Sequence, residues 1–345
     1  MRIVAVVHSP PGSGGHTTMS RVAGQLRAAG HAVTVVPAPH DAAELATTAD
    51  RYGAELLVGS HAYLSGRLFQ DVRVPSVIMF GGTDLNEFAY DPEALAVMTR
   101  AVRRAAGLVA FTPDFLDQGR RLWPEAADRM RLIPQSVTGE PDLSYSLRAE
   151  LGIGDDGVLL LLPAGLRPVK DPLLLIDEVQ RWHREDPRVH LVVTGMEYDE
   201  MFTGIVRRRC ARGPGVRYAG LLSRPRLHAA MLEATAVLNT SQSECMPNAV
   251  LEAMWLGTPV IARDVPGNTC LVRHDDTGLL FTDPAGFREQ AGRLLTEPRL
   301  RTRLGVQARA YAWEAHAPQL EQDAYDELVR AVVTAPVTGV SQYAG

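Results

Sequence analysis

The chain has 345 residues, 46% hydrophobic and 22% charged, with a formal net charge of -5. That composition supports a large buried core and, at this length, two domains of roughly 150 residues each. The mild acidity argues against a dedicated nucleic-acid binder, and three cysteines, Cys210, Cys245 and Cys270, in no metal or disulfide spacing fit a reducing, cytoplasmic setting.

Arg2 to Val7 reads as a buried first strand, too short for a membrane span or a typical secretory signal. Gly12-Ser13-Gly14-Gly15 follows as a loop, and 18–29 as a helix closed by Gly30. Residues 32–36, 56–59, 76–80, 107–112 and 130–134 read as further strands, separated by helical or loop segments. Continuous apolar strands alternating with helices predict an α/β fold with a parallel sheet. Residues 138–157 are polar and turn-rich, which marks a linker. A second unit of the same kind begins at 158–163, with strands at 190–194, 216–219, 236–239 and 259–262. Helical periodicity runs from 299 to 333, broken near 313–317 by Pro318, and 335–345 reads as loose chain.

Chemistry concentrates after the strands. Glu244 and Glu252 bracket the start of a helix that Pro247 opens and Gly257 closes. A helix N-terminus facing parallel strand ends suits a phosphate, and carboxylates suit vicinal hydroxyls. The same spacing also fits one loop carboxylate and one solvated helix carboxylate, and spacing alone does not decide between them. Arg167 and Lys170 follow the strand 158–163, as a diphosphate leaving group requires; the alternative is a pair of surface charges. Lys170 is the only lysine among 35 basic residues, so a compact point charge stands out against an arginine background.

Three weaker signals lie in the first half. Gly12-Ser13-Gly14-Gly15-His16-Thr17-Thr18 lacks the third glycine of a dinucleotide fingerprint. Ser60-His61-Ala62-Tyr63 and Gly81-Gly82-Thr83-Asp84 each follow a strand, where ligands gather in open α/β sheets; His61 equally suits a structural role, and Asp84 a turn or helix cap. Asp-x-Asp, Gly-Lys-Ser/Thr, His-Glu-x-x-His and Gly-x-Ser-x-Gly are all missing from the sequence. Phosphate charge then falls to arginine, lysine and helix N-termini. The arginines Arg120, Arg121, Arg129 and Arg131 make a modest basic cluster, better explained as a solvated face than as a membrane-docking surface.

Together these segments resemble the group-1 (family 4) retaining glycosyltransferases of GT-B fold. The resemblance rests on Glu244-x7-Glu252, on Leu166-Arg167-Pro168-Val169-Lys170-Asp171-Pro172, on Gly14-Gly15 and on Trp313-Glu314. Phe80-Gly81-Gly82-Thr83-Asp84-Leu85-Asn86-Glu87 and Ala262-Arg263-Asp264-Val265-Pro266-Gly267-Asn268 are similar to the glycosyltransferase 1 domain-containing protein 1 group, and in weaker form to selenosugar synthases. The resemblance implies two Rossmann-like domains with parallel sheets facing a central cleft. The first is an acceptor-side domain at 1–140, with a helix at about 318–334 packing back on it. The second, at 150–315, would bind the nucleotide sugar.

It also implies roles. Arg167 and Lys170 would hold the diphosphate, Glu252 the ribose, and Glu244 the donor sugar. Backbone amides at Cys245, Met246, Pro247 and Asn248 would help, although proline carries no N–H to give. Gly14 and Gly15 would let the first domain approach the diphosphate, and His61 would contact the sugar. Thr18, Thr83 and Asp84 are acceptor-side candidates. Cys245 departs from the family's usual glycine. The implied reaction is metal-independent, uses no cofactor, and moves a sugar from a UDP or GDP donor to a small-molecule acceptor, with no stable membrane insertion; oligomeric state is left open. A sugar-nucleotide epimerase or phosphorylase, a non-catalytic sensor, and transfer to a sulfur, selenium or lipid acceptor are the alternatives.

Overall fold

The structure is a computed structural model that describes residues 1–334; the loose terminus expected at 335–345 lies outside the described residues. The chain divides into two compact units, each packed chiefly against itself. The first holds Met1–Ser9, Gly15–Pro134 and the last helix, Pro318–Thr334; the second holds Pro10–Gly14 and Gln135–Ala317.

The first unit is a six-stranded parallel sheet: β1 (Arg2–Val7), β2 (Ala32–Pro37), β3 (Leu56–Ser60), β4 (Ser76–Met79), β5 (Gly107–Ala110) and β6 (Met130–Leu132), in spatial order β2-β1-β3-β4-β5-β6. Val4 pairs with Thr34 on one side and Leu57 on the other. The strands in the middle of the order are buried on both faces, which is why they read as unbroken apolar runs. The helix after β1 starts at Gly14, four residues earlier than the sequence predicts, so Gly14 and Gly15 form its first turn instead of a loop.

The last helix completes this unit. Tyr325 and Val329 are fully buried, and the Tyr325 hydroxyl meets Met79 Sδ at 3.0 Å. Arg21 Nε pairs with the buried carboxylate of Glu321 at 3.0 Å. Gly107 in β5 lets this helix pack closely, since a Cβ would lie 3.0 Å from Leu328 Cδ1. The basic cluster near β6 is partly used internally. Arg129 Nη1 donates to the carbonyls of Val102, Arg103 and Ala105, closing the C-terminus of the helix Pro92–Arg104. No helix among the described residues is long and apolar enough to cross a membrane.

The second unit repeats the plan with β7 (Val158–Pro163), β8 (Val189–Thr194), β9 (Val216–Tyr218), β10 (Ala236–Asn239), β11 (Val260–Arg263) and β12 (Leu279–Phe281), in order β12-β11-β10-β7-β8-β9. All pairings are parallel. Its core gathers Leu160, Leu162, Leu191, Val193, Leu238 and Ile261 with helix residues such as Phe287 and Leu304. The turn-rich stretch 138–157 contains a short helix, Leu147–Leu151, and is tied to this unit by Asp142 N–H on the Pro225 carbonyl and by Arg148 on the Glu233 carbonyl. β12 is a strand that the sequence pattern does not separate from its surroundings.

In both sheets the strand order reverses once in the same way, between β1 and β3 and between β10 and β7. Crevices at such switch points, outside the strand carboxyl ends, are where open α/β sheets bind ligands. The loops leaving β7 and β10 carry Arg167, Lys170 and Glu244; those leaving β1 and β3 carry the glycine segment and His61.

Candidate active site

In the second unit the loop after β7 turns through Pro168–Lys170, one turn of 3-10 helix, and Asp171 follows with φ 45° and ψ 50°. The loop after β10 runs through Thr240 and Ser241 to Glu244. Thr240 Oγ donates to the Lys170 carbonyl at 2.8 Å and Gln242 N–H to the Val169 carbonyl at 2.9 Å, so the two loops are stitched side by side. Lys170 Nζ meets Glu244 Oε1 at 2.7 Å. The same oxygen accepts from Ser241 Oγ at 2.7 Å and from Asn239 Nδ2 at 3.2 Å. Burial works against the Glu244 charge, but Lys170 and the donors together outweigh it and hold the carboxyl below the usual glutamate range.

Glu244 is also fixed from behind. Gly267 opens the turn after β11 against its backbone, and a Cβ there would fall 2.3 Å from the Glu244 carbonyl carbon and oxygen. Cys245 sits where its carbonyl faces Cys270 Sγ at 3.7 Å. Gln135 Nε2 donates to the Met246 carbonyl at 3.1 Å. Pro247 occupies the extended position before the helix Asn248–Leu256, not its first turn, and Gly257 ends that helix with φ 79°. Asn248 Nδ2 reaches the Gly14 carbonyl at 3.4 Å.

Glu252 is buried in that helix. Arg224 Nε donates to its Oε1 at 3.1 Å. Glu140 N–H donates to His228 Nδ1 at 3.0 Å, which leaves the proton on Nε2, aimed at Glu252 Oε2 from 3.6 Å. Arg167 lies over the Tyr198 ring, 4.8 Å from its centroid, with its Nε buried and without a hydrogen-bond partner among the described residues. Gly165 makes that possible, since a Cβ would lie 2.8 Å from the ring. Asn239, Ser241, Tyr198, Arg224, His228 and Gly267 join the site without carrying a motif that marks them. Asn239 ends a strand at the switch point, which is a signal the sequence offers; nothing in the sequence ties Arg224 or His228 to Glu252.

In the first unit, His61 has φ 76°, a left-handed backbone that a bulky residue adopts only when its surroundings impose it. Asp84 imposes it. Its carboxylate accepts from Ala62 N–H at 2.7 Å, Tyr63 N–H at 3.3 Å and Gly81 N–H at 2.7 Å, and lies 2.5 Å from His61 Nδ1. This contact outcompetes Leu64 N–H at 3.3 Å, so the proton sits on Nδ1 and Nε2 accepts from Thr83 Oγ at 2.7 Å. Asp84, an acceptor-side candidate, is fully buried, and it orients His61 and caps the following helix. Thr18, another such candidate, is buried within the helix Gly14–Ala28. His8 lies nearby, with Nε2 on Ser65 Oγ at 3.1 Å; Ser65 gives its own proton to the Ser60 carbonyl at 2.6 Å. Burial, with a smaller push from His61, lowers the His8 pKa to about 4.

Comparison with known proteins places these loops in context. The family described as Glycosyl transferases group 1 matches residues 158–297. Glycosyltransferase 1 domain-containing protein 1 of Xenopus tropicalis is 35% identical over 92% of this chain and 94% of its own length. A D-inositol 3-phosphate glycosyltransferase of Frankia alni is 29% identical over 76% of this chain and 72% of its own. Among solved structures, Anabaena Alr3699/HepE in complex with UDP and glucose covers 96% of this chain and 100% of its own with a TM-score of 0.79 at 17% identity. Sucrose-phosphate synthase from Thermosynechococcus elongatus covers 97% and 100% with a TM-score of 0.78 at 19% identity.

Two outcomes test the geometry. Gly267→Ala should displace the Glu244 loop and lower stability by about 1–3 kcal/mol; an unchanged melting curve would show that the contact yields freely. His8 binds a proton more weakly folded than unfolded, so its contribution is intact above pH 6.5 and falls as pH drops toward its folded value. From pH 7 to pH 5 the wild type should therefore lose roughly 1–2 kcal/mol more than His8→Asn, allowing for solvent screening, in urea unfolding. Equal losses would reject the buried neutral histidine.

Proposed function

The chain belongs to the group 1 glycosyltransferases and shares their GT-B fold, and from that premise we propose that this enzyme moves a sugar from a nucleoside diphosphate donor to a small-molecule acceptor, with retained configuration and without a metal ion. The observation that carries the proposal is Lys170 held 2.7 Å from Glu244 at the β7/β10 switch point. It brings one compact cation and one hydroxyl-binding carboxylate to the place where a ligand lies.

Lys170 and Arg167 neutralise the diphosphate, and their attraction rises as the bond to the sugar C1 breaks and negative charge builds on the phosphate. Two cations already fixed at the site take the part a divalent ion would otherwise play. Glu244 holds Lys170 in place and receives donor-sugar hydroxyls. Backbone N–H groups at Cys245, Met246 and Asn248 add donors near the helix N-terminus. Glu252 accepts from the ribose hydroxyls while Arg224 and His228 keep it oriented. Gly14 and Gly15, in the first turn of their helix, offer amides and no side chain to an anion.

The sugar carbon passes through an oxocarbenium-like state. The acceptor hydroxyl attacks from the leaving-group face, and the departing phosphate oxygen takes its proton, so no enzyme nucleophile is required. His61 and Thr83, joined to each other through Nε2 and Oγ at 2.7 Å, are assigned to the sugar and acceptor side of the reaction. UDP or GDP is the donor nucleotide; the Anabaena protein that shares the fold was solved with UDP. The Frankia alni relative is named a D-inositol 3-phosphate glycosyltransferase, which supports a small polar acceptor here.

Lys170→Ala should lower kcat more than about tenfold, because a phosphate-facing charge acts mainly in the transition state. In the same assay EDTA should leave turnover intact. Near-normal turnover in the variant refutes the role of Lys170, and loss of activity with EDTA refutes the metal-free reading.

A further inference from the structure

We propose that Arg263 is a positioning residue, which holds Asp171 in its left-handed turn and so aims Lys170 at Glu244. Asp171 follows Lys170 directly and has φ 45°, one of three non-glycine residues with positive φ among the described residues. Aspartate adopts that conformation more readily than most residues, and hydrogen bonds to its short side chain hold it there. Arg263, the last residue of β11, supplies one. Its Nη1 lies 3.1 Å from Asp171 Oδ2 and 3.4 Å from the Thr240 carbonyl, and Gln242 Nε2 meets the same Asp171 oxygen at 3.3 Å.

The consequence passes through the backbone. One guanidinium bridges the loop after β7 and the loop after β10, beside the Thr240–Lys170 and Gln242–Val169 bonds. Arg263 is held in turn at its own carbonyl by Asn268 Nδ2 at 2.9 Å, and Asn268 also donates to Asn239 Oδ1 at 3.1 Å. Asn239 is one of the three donors on Glu244. Three strand ends, β7, β10 and β11, are thus pinned to one another around the Lys170–Glu244 pair. Both side chains of the Arg263–Asp171 pair are about three-quarters buried, so water screens their attraction less than at an open surface.

The inference concerns geometry within the second unit, and it rests on the proposed function only for its effect on donor binding. A single lysine makes a direct test available. Reductive methylation with 13C-formaldehyde labels Lys170 and the N-terminal amine alone, and a dimethylated lysine keeps its charge and one N–H. In the wild type the Lys170 methyl signal should stand apart from that of free dimethyl-lysine. In Arg263→Ala it should collapse to the free position, while the melting temperature shows that the protein remains folded. Adding Asp171→Gly to Arg263→Ala should return the signal, because glycine adopts the left-handed turn without restraint.

A wild-type signal at the free position, an unmoved signal in Arg263→Ala, or no recovery in the double variant would each overturn the proposal. Calorimetry with UDP and GDP on the same proteins separates the two levels. Arg263→Ala should weaken the nucleotide that binds by roughly tenfold, with recovery in the double variant. Failure of the wild type to bind either one counts against the donor reading, and the methyl signals still decide the role of Arg263.

Discussion

The second unit is organised around a buried carboxylate that can stay ionised only because a lysine reaches it. Taking Glu244 out of water is costly, and an unpaired charge there would take up a proton or draw water into the loop. Lys170, Ser241 and Asn239 converge on one of its oxygens. Lys170 follows β7 while Asn239 and Ser241 come from the end of β10, so the pair forms only when β7 and β10 are in register. Gly267 adds a steric condition, because the Glu244 backbone lies where any other residue would place a side chain. Electrostatics and packing therefore demand the same loop geometry.

The first unit solves a related problem with a different residue pair. His61 sits on strained backbone, and the buried Asp84 carboxylate both relieves the turn's unpaired N–H groups and fixes the imidazole tautomer. With Nδ1 turned to Asp84, Nε2 faces Thr83 Oγ at 2.7 Å. The neighbouring His8 stays neutral chiefly because burial penalises its charged form. In both units the ionisable group at a strand end is usable because a second, better-buried partner restrains it.

Much of the architecture is legible in the sequence because parallel strands buried on both faces leave continuous apolar runs. Val158–Pro163 and Ala236–Asn239 carry the boundaries expected of them. β12, Leu279–Phe281, does not stand out from the turn residues around it. The helix start at Gly14 is hidden by glycine's preference for loops. At the site, Lys170 stands out by composition, and Glu244 and Glu252 by spacing. Their partners do not, because Arg224 and His228 arrive from another helix and Tyr198 from the end of β8. Asp84 is open to two readings, a cap or an acceptor contact, and the backbone amides around it decide for the cap. Arg263 is visible only as part of a family pattern; its reach to Asp171 depends on the strand order.

The return of the last helix to the first unit has a further meaning for how the molecule is made. Tyr325, Val329 and the Glu321 carboxylate are interior to a unit whose opening strand is Arg2–Val7, so that interior cannot close until the helix Pro318–Thr334 has been made. The intervening 183 residues from Gln135 to Ala317 need no such delay and can collapse during synthesis. The amino-terminal half of the nascent polypeptide would then be the last to finish folding, waiting on a segment translated some three hundred codons after its own beginning.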